Sequence, residues 1–141
     1  MNILIVEDEA LLALELESEL ESVGHQVVGQ AMTSHEARMK IDAQRPDFAF
    51  VDVHLLDGVT GLEVGRYLSA RGIPFVFVTG NVRRLPVDFA GAVGAIEKPY
   101  TMNGLENAVR FVEALMRGEV QRWDAPPSLI LAGEDEGRMA G

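Results

Sequence analysis

The strongest constraint in this sequence is an alternation. Short apolar runs, Ile3-Leu-Ile-Val6, Val27-Val28, Phe48-Ala-Phe-Val51, Phe75-Val-Phe-Val78 and Ala95-Ile96, are separated by longer stretches whose apolar residues recur at helical spacing. An apolar run with no polar residue in alternate positions suits a strand covered on both faces, as in a parallel sheet. Strands alternating with helices require crossover connections, and these are right-handed. The pattern therefore predicts an α/β fold, a doubly wound five-stranded parallel sheet, from a chain of 141 residues, one domain by size.

Along the chain, the first strand is Ile3 to Val6, followed by a helix from Ala10 to Val23 carrying Leu12, Leu16 and Leu20, with Gly24 as its stop. Gln26 to Gln30 is the second strand. Thr33 or Ser34 caps a second helix with Ala37 and Ile41 inward, which ends before Pro46. The third strand runs from Asp47 to Asp52, and Thr60 caps a third helix that Gly72 and Pro74 terminate. Phe75 to Thr79 is the fourth strand. Pro86 lacks a donor and breaks a helix interior, so at most a short helix is expected from about Pro86 to Ala90. Gly94 to Glu97 is the fifth strand, and Met102 to Met116 a last helix closing at Gly118. Residues 119–141 are expected to form a C-terminal tail, flexible or packed on the domain or a partner. Its apolar patch is Trp123 with Pro126-Pro127 and Leu129-Ile-Leu131, and Glu134 to Arg138 is polar.

Composition narrows the function. A formal net charge of −10 argues against nucleic acid and against an anionic membrane surface. No cysteine is present, which removes disulfides, thiolate metal sites and cysteine nucleophiles and fits a reducing compartment. Met1 to Glu9 has no basic region and turns acidic at once, unlike a signal peptide or a membrane span. The expectation is a cytoplasmic protein.

The chemistry lies at the strand ends. Glu7 and Asp8 close the first strand, Asp52 the third, Thr79 the fourth and Lys98 the fifth. In a parallel sheet these ends share one edge, where ligands collect. Carboxylates crowded together take up protons or a cation, and hard oxygen ligands suit Mg²⁺. A carboxylate is also a nucleophile toward phosphorus, while a cation and a hydroxyl stabilise the transferred charge.

The set Glu7-Asp8, Asp52, Thr79 and Lys98-Pro99 resembles the receiver domain of two-component response regulators over about residues 1–118. The resemblance implies the flavodoxin-like (βα)5 fold, and Asp52 as acceptor of a phosphoryl group from a histidine kinase. It further implies Mg²⁺ held by Glu7, Asp8, Asp52 and the backbone carbonyl of His54, with Lys98 and Thr79 contacting the phosphoryl oxygens and Pro99 following a cis peptide bond. The position that usually carries a rotating aromatic is Ala95, which interrupts the familiar Thr–Tyr coupling. Phe75-Val-Phe-Val-Thr-Gly80 with Lys98-Pro-Tyr100 is similar to the single-domain receivers called the FAT GUY group, associated with HWE-type kinases in alphaproteobacteria. Asn81 stands where that group commonly has an aromatic. His54 and Asn81 occupy positions that tune autodephosphorylation in receivers.

The function so implied is a single-domain response regulator that signals to a downstream target, or relays to a phosphotransfer protein, through protein contacts. It would catalyse only its own phosphorylation and dephosphorylation, as a monomer or weak homodimer. A phosphate sink or shuttle is an alternative. A metal-dependent phosphohydrolase would want a carboxylate two residues after Asp52, where His54 stands, and a pseudo-receiver would not need the intact acidic set. His25 and His35 are expected to face solvent. Glu15, Glu17, Glu19 and Glu21 form a solvated helix face or a kinase-docking face, and Arg83 and Arg84 lie beside the expected switch surface.

Overall fold

The computed structural model describes residues 1–133. Six strands form one sheet, β1 (Asn2–Val6), β2 (Gln26–Ala31), β3 (Phe48–Asp52), β4 (Phe75–Thr79), β5 (Gly94–Glu97) and β6 (Ile130–Leu131), in the order β2-β1-β3-β4-β5-β6. The first five are parallel, in the doubly wound arrangement. The sixth departs from the five-stranded expectation: β6 adds antiparallel to β5, with Gly94 opposite Leu131 and Ala95 opposite Ile130. The chain after residue 118 thus returns to the sheet as far as residue 133, while the expectation for Glu134 to Arg138 lies outside the described residues.

Among the described residues four helices cover the sheet, α1 (Ala10–Ser22), α2 (Ser34–Ala43), α3 (Gly61–Ala70) and α4 (Met102–Met116). Alternate residues of each strand point to opposite faces, so the core divides in two. Leu4, Val6, Ala49, Val51, Phe75 and Phe77 pack with α2 and α3, whereas Ile3, Ile5, Phe48, Phe50, Val76 and Val78 pack with α1 and α4. Each face carries an edge-on phenyl pair, Phe75–Phe77 at 5.2 Å and Phe48–Phe50 at 5.4 Å between ring centres. Against the first pair α3 presents Gly65, where a Cβ would stand 2.7 Å from Phe77 Cζ. That closeness lets α3 lie flat on the sheet and fixes the loop before it, which follows Asp52.

Thr33 caps α2 as expected, its hydroxyl accepting from Glu36 N at 3.0 Å. Thr60 does not cap α3 with its side chain: its hydroxyl donates instead to Asp57 Oδ1 at 2.6 Å. His25 also differs from expectation, being half-buried with Nδ1 2.9 Å from the N-terminal amine. Between β4 and β5 no α-helix forms at Pro86–Ala90, where at most a short one is expected. Two 3-10 turns, Val82–Arg84 and Phe89–Gly91, replace it, with Pro86 between them. Leu85 is extended, as a residue before proline must be, and Phe89 and Ala90 both have left-handed φ of 51° and 50°. Each such residue costs about 1 kcal/mol. Burial of Leu85, Ala90 and Ala92 on the α3 side of the sheet offsets that cost.

Candidate functional site

β1, β3 and β5 end together, and their ends bring four charged side chains into one cluster. Lys98 Nζ donates to Asp52 Oδ2 at 2.7 Å and to Glu7 Oε1 at 3.1 Å. Asp52 and Glu7 are buried, 7% and 6% exposed, because each is the polar terminus of a strand covered on both faces. Asp8 is half-buried beside them, and one carboxylate oxygen from each of Glu7, Asp8 and Asp52 lies within 4.8 Å of the others. The remaining Asp52 oxygen, Oδ1, accepts from His54 N at 3.1 Å, so both oxygens are engaged by donors. His54 contributes this backbone group while its imidazole is exposed.

The electrostatics follow from this crowding. Burial, then the hydrogen bond and charge of Asp52, push Glu7 up to about 7, while Lys98 pulls it the other way. Burial works against the charge of Lys98 too, yet the hydrogen bonds and charges of Asp52 and Glu7 outweigh it and raise the ammonium above the usual lysine range. Three hard carboxylates around one fixed ammonium make a site short of positive charge. The donor set fits Mg²⁺, which takes oxygen ligands and tolerates few protein carboxylates among its waters.

Thr79 ends β4 next to β3, buried at 5% exposure, but its hydroxyl is not bonded to the carboxylates. Thr79 Oγ1 accepts from Asn81 N at 3.2 Å and faces a cleft of about 380 Å³ lined by Val53, His54, Val59, Leu62 and Arg84. Asn81 is exposed, and its Oδ1 accepts from Arg83 N at 3.1 Å. The Lys98–Pro99 peptide is cis. Ala95 is fully buried between Phe77 of β4 and Ile130 of β6.

Two supports of the site carry little signal in the sequence. Gly61 presses its backbone on β3: a Cβ there would stand 2.0 Å from the Asp52 carbonyl oxygen and 2.6 Å from Val53 Cα, and Gly61 N donates to Val53 O at 2.9 Å. Asp57 ties the loop after Asp52 to the start of α2. It accepts from Ser34 Oγ at 2.6 Å, from Ser34 N at 3.1 Å and from Thr60 Oγ1 at 2.6 Å, and these bonds hold its carboxyl down at about 2.

The chain is thus a doubly wound α/β domain with an acidic, lysine-bridged pocket at the carboxyl edge of its sheet, the place where such folds bind ligands. The family model of the response regulator receiver domain matches residues 3–110, and the chain belongs to this family. The Phyllosphere-induced regulator PhyR of Methylorubrum extorquens is 39% identical over 85 residues, covering 59% of this chain and 32% of that protein. The transcriptional regulatory protein PdtaR of Mycobacterium tuberculosis is 30% identical over 121 residues, 82% of this chain and 58% of the relative. The chain therefore spans less than two thirds of these curated relatives. Among solved structures, SdrG from Sphingomonas melonis Fr1 is 36% identical with a TM-score of 0.62, over 78% of this chain and 93% of that one. The N-terminal domain of a three-domain response regulator from Carboxydothermus hydrogenoformans aligns with a TM-score of 0.73 at 26% identity, over 86% of this chain and 100% of that one. The resemblance to FAT GUY receivers agrees with the PhyR-like relatives. Among the described residues no helix is long and apolar enough to cross a membrane.

Proposed function

We propose that this chain is a phosphorelay receiver whose Asp52 takes a phosphoryl group from the phosphohistidine of a histidine kinase, of the HWE type associated with the receiver subgroup it resembles. The observation that carries this is the 2.7 Å contact of Lys98 Nζ with Asp52 Oδ2 beside the Glu7 and Asp8 carboxylates. The attacking carboxylate is held in place by two donors, Lys98 Nζ and His54 N, and needs no proton removed.

In the transfer, an Asp52 oxygen forms a bond to phosphorus as the phosphorus–nitrogen bond breaks, and the imidazole departs with the electron pair. Glu7, Asp8, Asp52 and the His54 carbonyl would hold Mg²⁺, which would supply charge to neutralise the phosphoryl oxygens. Lys98, bonded to Asp52, contributes a fixed positive charge, and its raised affinity for the proton keeps it charged throughout. Thr79 then exchanges its Asn81 partner for a phosphoryl oxygen, which biases the loop after β4 toward a second arrangement. That loop and the β5 region carry the signal to a downstream target or phosphotransfer protein by contact.

Incubation with acetyl phosphate or phosphoramidate and Mg²⁺, read by intact mass and by Phos-tag electrophoresis, tests the reading. Wild type gains one phosphoryl group and Asp52→Asn none. Absence of an Asp52-dependent gain from both small donors and a kinase contradicts it, and rapid turnover of phosphate esters would favour a phosphohydrolase instead.

A further inference from the structure

The receiver match ends at residue 110, and the segment that follows α4 lies beyond it. Residues 119–133 run back as a strap along the outer edge of the sheet. Leu129 and Leu131, two positions apart and so on one face, are 3% and 2% exposed and enter the α4 side of the core. Ser128 Oγ donates to Gly104 O at 2.7 Å, Ala132 N donates to Val93 O at 3.0 Å, and Arg122 Nη2 donates to Ala132 O. β5 is shaped for the strap: a Cβ on Gly94 would stand 2.5 Å from Ile130 O.

The hold is nevertheless short. β6 pairs through two residues, where the inner parallel pairs use four or five. Outside it lies an open groove of about 790 Å³, with Trp123 and Pro126 on the strap side and Asn81, Val82 and Arg83 on the other. That opposing wall is the loop fastened through Asn81 N to the Thr79 hydroxyl. Drawing Thr79 toward a phosphoryl group would take the acceptor from Asn81 N and release the wall that faces the strap across this groove.

We propose that the β5 edge and the pocket behind it are a docking site for an extended partner segment with two apolar residues two positions apart. Leu129 and Leu131 occupy it as an internal stand-in, and phosphoryl loading of Asp52 displaces them. Main-chain pairing along β5 supplies affinity and the two side-chain pockets supply selectivity, as in strand addition to a sheet edge. The displacement step rests on the acceptor role of Asp52 proposed above.

The test uses the full chain and, as probe, a synthetic peptide with the strap's own sequence, Pro-Pro-Ser-Leu-Ile-Leu-Ala-Gly. A Gly104→Cys, Ser128→Cys pair locks the strap: a Cβ on Gly104 would stand 3.2 Å from Ser128 Cβ, close to disulfide span, in a chain with no other cysteine. Loading is followed by intact mass, strap release by amide exchange at residues 129–132, and peptide binding by fluorescence polarisation. Loaded wild type is expected to exchange at these amides about tenfold faster and to bind the peptide. The oxidised Cys pair should do neither although loaded, and reduction should restore both. Loading by mass with no change in strap exchange overturns the coupling, and peptide binding by the oxidised form overturns the site. No gain in mass overturns the acceptor reading and the displacement step with it. Leu129→Ser, Leu131→Ser in the unloaded chain then decides the docking site by itself, through peptide binding or its absence.

Discussion

Glu7 ties the acidic site to pH in a way that separates a cation site from an inert acidic cluster. Its carboxyl is raised from 4.5 to about 7 by burial and by Asp52. A difference of about 2.5 pH units corresponds to about 3 kcal/mol. The sign is fixed by which state binds the proton: between these values the folded, metal-free chain holds a proton that the unfolded chain has released. Stability of the metal-free chain is therefore highest below about pH 4.5 with respect to this group, falls as pH rises toward 7, and levels off above. Mg²⁺ supplies the charge that the proton otherwise provides, so its binding expels that proton below pH 7.

The perturbation is a pH series from 5.5 to 8.5 with and without Mg²⁺, read by urea denaturation and by titration of Mg²⁺ affinity. The apparent affinity should weaken by up to tenfold per pH unit below about 7 and become flat above it. Glu7→Gln should remove that slope, stabilise the metal-free chain at pH 8 and weaken Mg²⁺. His25, held below its usual value by burial and by the N-terminal ammonium, gives a slope of opposite sign. That slope is present with or without Mg²⁺, and the difference between the two series isolates Glu7. Mg²⁺ affinity unchanged between pH 5.5 and 7, with Glu7→Gln behaving as wild type, would refute the reasoning.

Two supports of the loop after Asp52 give further tests. Gly61→Ala places a methyl 2.0 Å from the Asp52 carbonyl oxygen, so α3 must shift off β3; a loss of about 3 kcal/mol in urea denaturation and slower phosphoryl loading by mass are expected. Asp57→Ala removes the bonds to Ser34 and Thr60, and amide exchange at residues 53–60 should accelerate while β1 and β4 stay protected. Because its pKa is depressed to about 2, the contribution of Asp57 is present above the ordinary carboxylate range and is lost as pH falls through that value.

The parallel sheet was legible because each buried strand is an uninterrupted apolar run that halts at a polar residue, and the halts mark the edge where Glu7, Asp8, Asp52, Thr79 and Lys98 fall. Parallel pairing of the strands then placed those halts along one edge without any contact being known. Pro86 announced the loss of a regular helix between β4 and β5. It could not announce the left-handed pair Phe89-Ala90, because neither residue type favours that conformation and burial decides it. β6 was harder still. Two paired residues are too few to show a period, and Leu129-Ile-Leu131 reads equally as a patch for a partner. Gly61 and Asp57 carry no mark in the sequence, since a close backbone approach to Asp52 and a bond to Ser34 are set by the packing of α3 and α2, not by local spacing.

Reductive trapping identifies the acceptor side chain, placed here at Asp52, by its chemistry. After incubation with phosphoramidate and Mg²⁺, borohydride reduces an aspartyl phosphate to homoserine, which peptide sequencing by mass locates to a single position. Homoserine at position 52, dependent on Mg²⁺ and lost in Lys98→Met, is the predicted result. Homoserine at Glu7's neighbour Asp8 or at Asp57, or no reducible acyl phosphate in a chain that retains its fold, would contradict the account.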